Sequence, residues 1–230
     1  MNRFGTAVGA IALATLSLTG CGSDKPTTSA AATKLVGLFR VTAGSCAAGA
    51  PTGSTFRMLQ PNGKPGTGPY VLNGDSRCQD KTTTALTPGA DGGLRTGVFQ
   101  AQPSGPFDAT GNGTSAGVVR PQKWFAVAFG IATNQTDPQT KKSTAMPRVD
   151  VNGTALSGDL SAFAASWNGQ HFNQGAPKPG GARPGNTTGP TGSYDPATKA
   201  YTLDWSSQII GGPFNNFTGI WHLEGTFEPT

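Results

Sequence analysis

The closing part of the chain, residues 199–227, carries the most regular pattern in the sequence. Apolar residues recur at every second position over two stretches, at Tyr201, Leu203 and Trp205 on the first and at Phe217, Trp221, Leu223 and Phe227 on the second. A period of two places these side chains on one face of a β-strand. Gly211, Gly212 and Pro213 between the stretches favour a turn. The pattern predicts a β-hairpin whose apolar face must be covered by another part of the chain.

The register of this hairpin is restricted by the same alternation. Pairing Trp205 with Trp221 satisfies it, and so does a shift of two residues, whereas a shift of one would set the apolar face against the polar one. With Trp205 opposite Trp221, Asp204 lies opposite His222. In every even register Asp204, His222 and Glu224 share the face that points away from the aromatic side chains.

The rest of the sequence favours the same class of fold. Glycine and proline are abundant, with 34 and 18 residues, and short runs of Val, Phe and Trp lie between turn-forming clusters. We find no long stretch with a clean helical period. These features predict an all-β domain, an antiparallel β-sandwich or flattened barrel with long Gly/Pro-rich loops. Strands are predicted at 35–42, 55–60, 70–72, 94–100 and 148–151, and a buried central strand is predicted at 123–133.

Two segments are less regular. Residues 159–167 fit the apolar period of a helix and also that of a strand. Asn168-Gly169, which is typical of a hairpin turn, favours the strand. Residues 176–192 are rich in Pro and Gly, carry Lys178, and are predicted to form an exposed loop.

The N-terminus has the pattern of an export signal. A short positive leader at Arg3 precedes an apolar segment, residues 7–18, which is too short to span a bilayer as a mature helix. The next residues are Leu18-Thr19-Gly20-Cys21. This motif and its position resemble the lipobox of bacterial lipoproteins, and the alternative is an ordinary signal peptide with an incidental cysteine.

The resemblance to lipoproteins implies how the mature chain begins and where it lies. In that family the cysteine, here Cys21, is joined to diacylglycerol and becomes the N-terminus after cleavage. Stable anchoring takes more than one acyl chain, and the lipid of this family supplies two or more, so acyl chains such as palmitate are expected. We therefore expect a signal peptide at 1–20, a flexible tether at 21–33 and a single β-rich domain at 34–230. The protein would lie on the extracytoplasmic face of the cell membrane, within the cell envelope.

The cysteine count agrees with an exported protein. The sequence has three cysteines, and with Cys21 lipidated, Cys46 and Cys78 remain as a pair in an oxidising compartment. Their predicted disulfide closes a loop of about thirty residues and stabilises the fold by roughly 3 kcal/mol in the chain-entropy model. Two free thiols are the alternative. A metal site is weakly supported because no histidine is near either cysteine in the sequence.

Several short motifs, mostly in the C-terminal half, resemble elements of exported β-rich bacterial proteins of unknown function. They are the segments 56–63, Trp167-Asn168-Gly169, 172–175, Asp204-Trp205-Ser206, 211–214 and 221–225. The resemblance implies a β architecture and placement in the cell envelope. It implies no activity.

The polar residues offer two routes to chemistry. Asp204, His222 and Glu224 have the types to bind a metal or share protons, although a cross-strand ion pair on a solvated face has the same composition. Residues 113–117 match G-x-S-x-G around Ser115, and Asp204 and His222 follow in the order of the α/β-hydrolases. The strand–elbow–helix context of that motif is missing. No catalytic residue is therefore predicted, and an envelope hydrolase using Asp204 and His222 remains an alternative.

The other charged residues predict neither a metal site nor a nucleic-acid surface. Asp150, Asn152 and Asp159 have oxygen ligands of the kind that Ca²⁺ takes, but their spacing matches no EF-hand loop. The net charge of +5 comes from scattered basic residues, which is not the footprint of a nucleic-acid-binding protein. A mild attraction to anionic lipid or an envelope polymer is consistent with it. No metal and no cofactor is predicted.

The tryptophans give the favoured function. Trp124, Trp167, Trp205 and Trp221 either fill the core or present flat rings on which sugars or apolar ligands stack. Together with the lipobox, they favour a non-catalytic, lipid-anchored module that binds an envelope component or a small ligand. A structural or adhesive surface protein is a further alternative.

Overall fold

The computed structural model describes residues 31–47 and 50–230. Within these ranges every regular element is a β-strand, which confirms the all-β prediction. No helix there is long and apolar enough to cross a membrane. The strands are β1 Thr33–Leu35, β2 Gly37–Val41, β3 Thr55–Lys64, β4 Gly68–Tyr70, β5 Thr84–Ala85, β6 Gly93–Arg95, β7 Gln122–Trp124, β8 Val127–Thr133, β9 Arg148–Asn152, β10 Ala155–Asp159, β11 Phe163–Trp167, β12 Gln170–Asn173, β13 Thr188–Tyr194, β14 Ala200–Gln208 and β15 Thr218–Pro229.

The predictions for the N-terminus fall almost wholly outside the described residues. The signal peptide at 1–20, lipidation at Cys21 and most of the tether at 21–33 are among them. The last tether residue, Thr33, already belongs to β1 and pairs with Val151 of β9.

The strands form two antiparallel sheets. The larger has the order β1-β9-β10-β13-β14-β15-β2-β6, with β3 also paired to β15 and with β4 and β5 paired to β3. The smaller has the order β12-β11-β8-β7. Strand β15 holds the larger sheet together, because its first half pairs with β3 and its second half with β2 along the same edge. The larger sheet curls into a half-barrel beside the smaller one.

The closing hairpin has the predicted register. Trp205 pairs with Trp221 and Asp204 with His222 across β14 and β15. The two indole rings are stacked, with centroids 5.9 Å apart and planes 10° from parallel. The alternating apolar side chains within β14 and β15 are buried, but Phe217, which precedes β15, is only partly buried. Thr218, on the opposite face, is buried as well.

The smaller sheet covers the apolar face of the hairpin. The ring of Phe163 on β11 lies 5.0 Å from those of both Trp205 and Trp221. Phe129 on β8 approaches Trp221 to 6.2 Å. The core therefore lies between the two sheets, where the rings from both meet mostly edge to face, the arrangement that aromatic quadrupoles favour.

The predicted central strand at 123–133 is wrong in one respect. Its residues form two strands, β7 and β8, joined by a tight turn in which Phe125 and Ala126 have φ of 50° and 63°. The apolar run hides this turn, because neither residue is of the Gly, Asn or Asp type that such turns favour. The Ala126 N–H donates to Asp75 Oδ2 at 2.6 Å, a contact from a distant loop that helps to hold the turn.

Residues 159–167 have no helix. Strand β10 ends at Asp159 and β11 begins at Phe163, so the preference for strand is confirmed. The predicted turn at Asn168-Gly169 joins β11 to β12, and both residues have positive φ, 49° and 69°.

Other strand boundaries differ from the predictions. The segment 35–42 is divided at Val36 between β1 and β2, and β6 ends at Arg95 rather than continuing to residue 100. Strand β3 continues beyond the predicted end at residue 60 to Lys64, through Pro61-Asn62-Gly63, which has the composition of a turn, with a break in its pairing to β4 and positive φ at Asn62. A strand irregularity thus replaces the turn, because β4 pairs with β3 on both sides of it.

The segment 176–192 is not simply an exposed loop. Strand β13 begins within it at Thr188, and Lys178 is only 9% exposed. The side-chain nitrogen of Lys178 is held inside by hydrogen bonds to Asn173 and Ser207. The prediction of an exposed loop is therefore wrong for Lys178. The side chain can be buried because these acceptors supply the hydrogen bonds that water would otherwise make.

The predicted disulfide is confirmed. Cys46 and Cys78 are bonded, with Cα atoms 4.8 Å apart. The bond joins the segment after β2 to the long connection between β4 and β5, two regions with little regular structure of their own.

Candidate functional site

An apolar pocket lies between the two sheets at the end where the β14–β15 loop crosses them. Its free volume is about 30 Å³. The lining residues are almost all apolar and mostly aromatic: Phe56, Met58, Trp124, Phe129, Ala165, Trp167, Phe172, Gln174, Ile209, Phe214 and Trp221.

Three of the four predicted ligand-stacking tryptophans, Trp124, Trp167 and Trp221, line this pocket. Trp221 forms its floor from the larger sheet and is 1% exposed. Trp205 lies deeper in the core, where its Nε1–H donates to the Gln174 carbonyl oxygen at 2.9 Å. The structure therefore brings together three of the rings and leaves the fourth as core.

Hydrogen bonds hold the tryptophans of the smaller sheet in place. Trp167, at the end of β11, directs its Nε1–H to the carbonyl oxygens of Trp124 at 2.8 Å and Val127 at 3.1 Å. The Trp124 and Trp167 rings meet edge to face at 5.2 Å. The indole of Trp167 thus closes the β7–β8 turn against β11 and fixes one wall of the pocket.

Phe214 closes the pocket from the loop between β14 and β15. Its ring lies 5.5 Å from that of Trp124, 5.6 Å from that of Trp167 and 5.9 Å from that of Phe172. The ring is only partly buried. Just before it, Gly211 and Gly212 have φ of 80° and 68°, and a Cβ at either would meet no atom within 4 Å. The aromatic closure therefore sits on a loop with few packing restraints.

The pocket has almost no polar chemistry. Gln174 is its one polar lining residue, and its Oε1 accepts the Nε1–H of Trp221 at 3.1 Å. No charged side chain of the described residues lines the pocket. A ligand group that fits here must be uncharged and apolar, because a buried polar group without a partner costs a large part of its hydration energy.

The predicted polar cluster exists on the outer face of the hairpin. His222 Nδ1 lies 2.7 Å from Asp204 Oδ1, and Nε2 lies 3.3 Å from Glu224 Oε2. The hydrogen bond to Asp204 is the main cause that raises the pKa of His222, against an opposing effect of burial. Both ring nitrogens face carboxylates, so the arrangement stabilises a charged imidazole.

This geometry suits an ion triad better than a base or a metal site. The two carboxylates lie at opposite ends of the imidazole ring, and therefore do not converge with a ring nitrogen on one point. In the part of the chain that the structure describes, no group of three metal-binding side chains has suitable geometry. Of the other acidic residues considered as metal ligands, Asp150 forms an ion pair with Arg148 at 3.3 Å. Asp159 Oδ1 accepts a hydrogen bond from the Ser161 N–H at 2.9 Å.

Ser115 of the G-x-S-x-G motif is buried, with 4% exposure. Its segment lies outside any named strand, and within the described ranges no helix follows it. The motif's first glycine, Gly113, is required by packing, because a Cβ there would collide with the Ser166 carbonyl oxygen and the Gly130 nitrogen. The motif therefore reflects close backbone approach rather than a nucleophile elbow.

Comparison of the chain with protein-family models, curated proteins and solved structures finds no match. Functional inference consequently depends on the side chains themselves.

Phe214 is the site residue that the sequence reasoning missed. It lies in a Gly-Gly-Pro-Phe turn between two strands, where a large aromatic side chain is unusual. That unusual position is the only signal in the sequence, and it does not indicate which rings Phe214 contacts. Phe56, Phe129 and Ile209 carried only the ordinary pattern of core residues.

Proposed function

We propose that this protein is a non-catalytic, lipid-anchored module of the cell envelope that binds an apolar group in the pocket between its sheets. The observation that carries the proposal is the convergence of Trp124, Trp167 and Trp221 on one apolar space beneath Phe214. Flat rings provide a large contact area at little cost in side-chain entropy.

The resting pocket is small. Its volume of about 30 Å³ is well below the roughly 150 Å³ at which an apolar cavity accepts benzene. A ligand must therefore displace a side chain, and Phe214 is the one placed to move, because its ring is partly exposed and the side-chain positions of Gly211 and Gly212 in its loop face open space. When Phe214 swings outward, the ligand takes over its contacts with the tryptophans.

The lining restricts the class of ligand. A sugar needs polar partners for its hydroxyl groups, whereas the single polar side chain, Gln174, is already bonded to Trp221. An aromatic ring or the end of an acyl or isoprenoid chain needs none. An apolar envelope lipid or a hydrophobic small molecule is therefore the favoured ligand, and sugars, which the tryptophans alone would also suit, are disfavoured.

The location is proposed from the lipobox at Cys21. A chain anchored by its N-terminal lipid holds the folded domain close to the membrane surface, where apolar molecules are concentrated. The membrane itself would therefore supply apolar ligands to the pocket.

The hydrolase that would use Asp204 and His222 is less well supported. A general base needs a free ring nitrogen directed at substrate, and both nitrogens of His222 face carboxylates. The cluster also lies on the opposite face of the hairpin from the pocket, since Asp204 and His222 alternate with Trp205 and Trp221.

Binding of the uncharged dye N-phenyl-1-naphthylamine tests the proposal. We expect saturable enhancement of the dye's fluorescence with wild-type protein. Phe214→Ala removes the ring that closes the pocket and is expected to tighten binding several-fold. Phe107→Ala is the matched control, because Phe107 is partly buried like Phe214, is not among the lining residues and also loses a phenyl ring.

Methyl glucoside, a sugar without an apolar chain, should not compete with the dye for the pocket. A short-chain aliphatic alcohol should compete with it. Absence of saturable binding in both the wild type and Phe214→Ala would refute the pocket as a ligand site. Equal effects of Phe214→Ala and Phe107→Ala would show that the dye does not bind in the pocket.

A further inference from the structure

A lysine, an asparagine and an aspartate meet inside the protein, apart from the pocket and the polar cluster. Lys178 Nζ lies 2.8 Å from the main-chain oxygen of Asn173, 2.6 Å from Ser207 Oγ and 3.4 Å from Asn173 Oδ1. The side chains of Lys178, Asn173 and the aspartate, Asp137, are buried together with that of Ser207, and those of Asp137 and Ser207 are completely buried. An amine and a carboxamide are thus held in contact away from water.

The side chain of Asn173 is oriented by its neighbours. Its Nδ2–H₂ group donates to Asp137 Oδ1 at 3.0 Å and to the Ser161 carbonyl oxygen at 2.9 Å. Its Oδ1 accepts the Gly175 N–H at 3.2 Å. Asp137 is itself fixed, since its Oδ2 accepts the N–H of Thr140 at 2.7 Å. The carboxamide nitrogen therefore faces a carboxyl group while its oxygen faces the lysine.

The two short hydrogen bonds of Lys178 can be made by a neutral amine. Ser207 donates its own hydroxyl hydrogen to the Gly175 carbonyl oxygen at 2.8 Å, and so it accepts from Lys178. A neutral amine uses its two hydrogens on Ser207 and on the main-chain oxygen of Asn173, and its lone pair remains. Burial lowers the pKa of Lys178 to about 7, with an opposing effect of Asp137. A large fraction of the molecules therefore carries a nucleophilic amine near neutral pH.

We propose that Lys178 and Asn173 form an intramolecular amide cross-link, with Asp137 as the proton-transfer residue. Nζ of the neutral lysine attacks Cγ of Asn173, the Nζ–Cγ bond forms, and the Cγ–Nδ2 bond breaks. One proton passes from Nζ through the Asp137 carboxyl group to Nδ2, which leaves as ammonia. The reaction involves no change in oxidation state and needs no other reactant.

The folded structure provides what this reaction needs. Groups held in contact in a fixed orientation react far faster than free ones, and the amine of Lys178 contacts the carboxamide of Asn173 at Oδ1, 3.4 Å away, the oxygen bonded to the carbon that it attacks. Asp137 contacts the leaving nitrogen directly. Exclusion of water protects the carboxamide from hydrolysis during the attack.

The bond would tie the end of β12 to the segment that follows it. Gln174, the hydrogen-bond partner of Trp221, lies inside the ring closed by Asn173 and Lys178. The cross-link would therefore hold one wall of the pocket covalently. It does not depend on ligand binding, so it stands or falls separately from the proposed function.

Peptide mass tests the cross-link in the full chain. Trypsin cleaves after Arg148 and Lys199, whereas Lys178 and Arg183 precede prolines and resist cleavage, so both partners lie in the peptide 149–199. We expect this peptide to be lighter than its sequence by one ammonia, about 17 Da. Acetic anhydride added under denaturing conditions should leave Lys178 unmodified.

Variants separate the cross-link from a succinimide at Asn173, which loses the same mass. Lys178→Arg should restore the full mass of the peptide, allowing for the substitution, and Asp137→Asn should leave most molecules uncross-linked. Lys142→Arg, at an exposed lysine, is the matched control and should keep the loss.

Full mass and acetylated Lys178 in the wild type would overturn the proposal, and so would a loss that persists in Lys178→Arg. Unchanged cross-linking in Asp137→Asn would overturn the role of Asp137. The wild-type measurement decides the main point even when a variant fails to fold.

Discussion

Replacing Trp221 with Phe tests how the core and the pocket are held together. The Trp221 side chain lies 4.4 Å from Phe56 and 5.0 Å from Phe163, measured between ring centroids. Its Nε1–H donates to Gln174 Oε1 at 3.1 Å. Phenylalanine keeps an aromatic ring at this position but removes the donor and part of the buried surface.

Two effects set the size of the loss. Deleting the outer atoms of the indole removes buried apolar contact and leaves a cavity, which costs about 2 kcal/mol. Leaving Gln174 Oε1 buried without a donor costs about 1–3 kcal/mol. The free energy of unfolding should therefore fall by about 3–5 kcal/mol. This is a large part of the total free energy of unfolding of a folded domain, which is typically about 5–15 kcal/mol.

Urea unfolding followed by far-ultraviolet circular dichroism measures this loss without relying on tryptophan fluorescence. A double-mutant cycle isolates the hydrogen bond: Gln174→Met added to Trp221→Phe removes the unpaired acceptor and should recover about 1–2 kcal/mol. A loss below about 1 kcal/mol in Trp221→Phe, or no coupling between the two sites, would refute this account of the core.

Two further predictions concern the polar cluster and the β7–β8 turn. The pKa of His222 is raised in the folded state above its ordinary value of 6.5, so its stabilising effect is complete below that value and is lost as pH rises through the raised one. The stability difference between wild type and His222→Gln should be about 0.2–1 kcal/mol near pH 6 and should shrink towards pH 9, and a pH-independent difference would contradict the ion triad. Ala126 has φ of 63°, so Ala126→Gly should raise the free energy of unfolding by about 1 kcal/mol in the same urea assay, because glycine adopts this conformation without strain. A decrease would show that the turn is not strained at this residue.

Local patterns were sufficient for the closing hairpin. The alternation around Trp205 and Trp221 restricts the register to even shifts, since an odd shift reverses the faces, and the observed pairing is one of those allowed. Asn168-Gly169 predicted its turn because the two residue types tolerate positive φ. The disulfide followed from having only two cysteines left to pair once Cys21 is assigned to the lipid.

Contacts between distant segments decided the rest. The turn at Phe125-Ala126 has no local signal, and a hydrogen bond from Asp75 helps to hold it. The pocket depends on Phe214 reaching rings from three other strands, and Phe214 is far from Trp124 in the sequence. Neither relation has a period or a spacing that a sequence reveals.

By itself, the sequence determined that this chain forms antiparallel β-structure, which side chains of its final hairpin face inward, and which cysteines pair. These features depend on neighbours along the strand or on a very small number of choices. Only the tertiary structure decided that three tryptophans enclose a pocket and that Lys178 is buried against Asn173. Whether a residue is buried depends on what the rest of the folded chain places around it. A Pro/Gly-rich segment has the same sequence whether its lysine is in water or is hydrogen-bonded to Ser207.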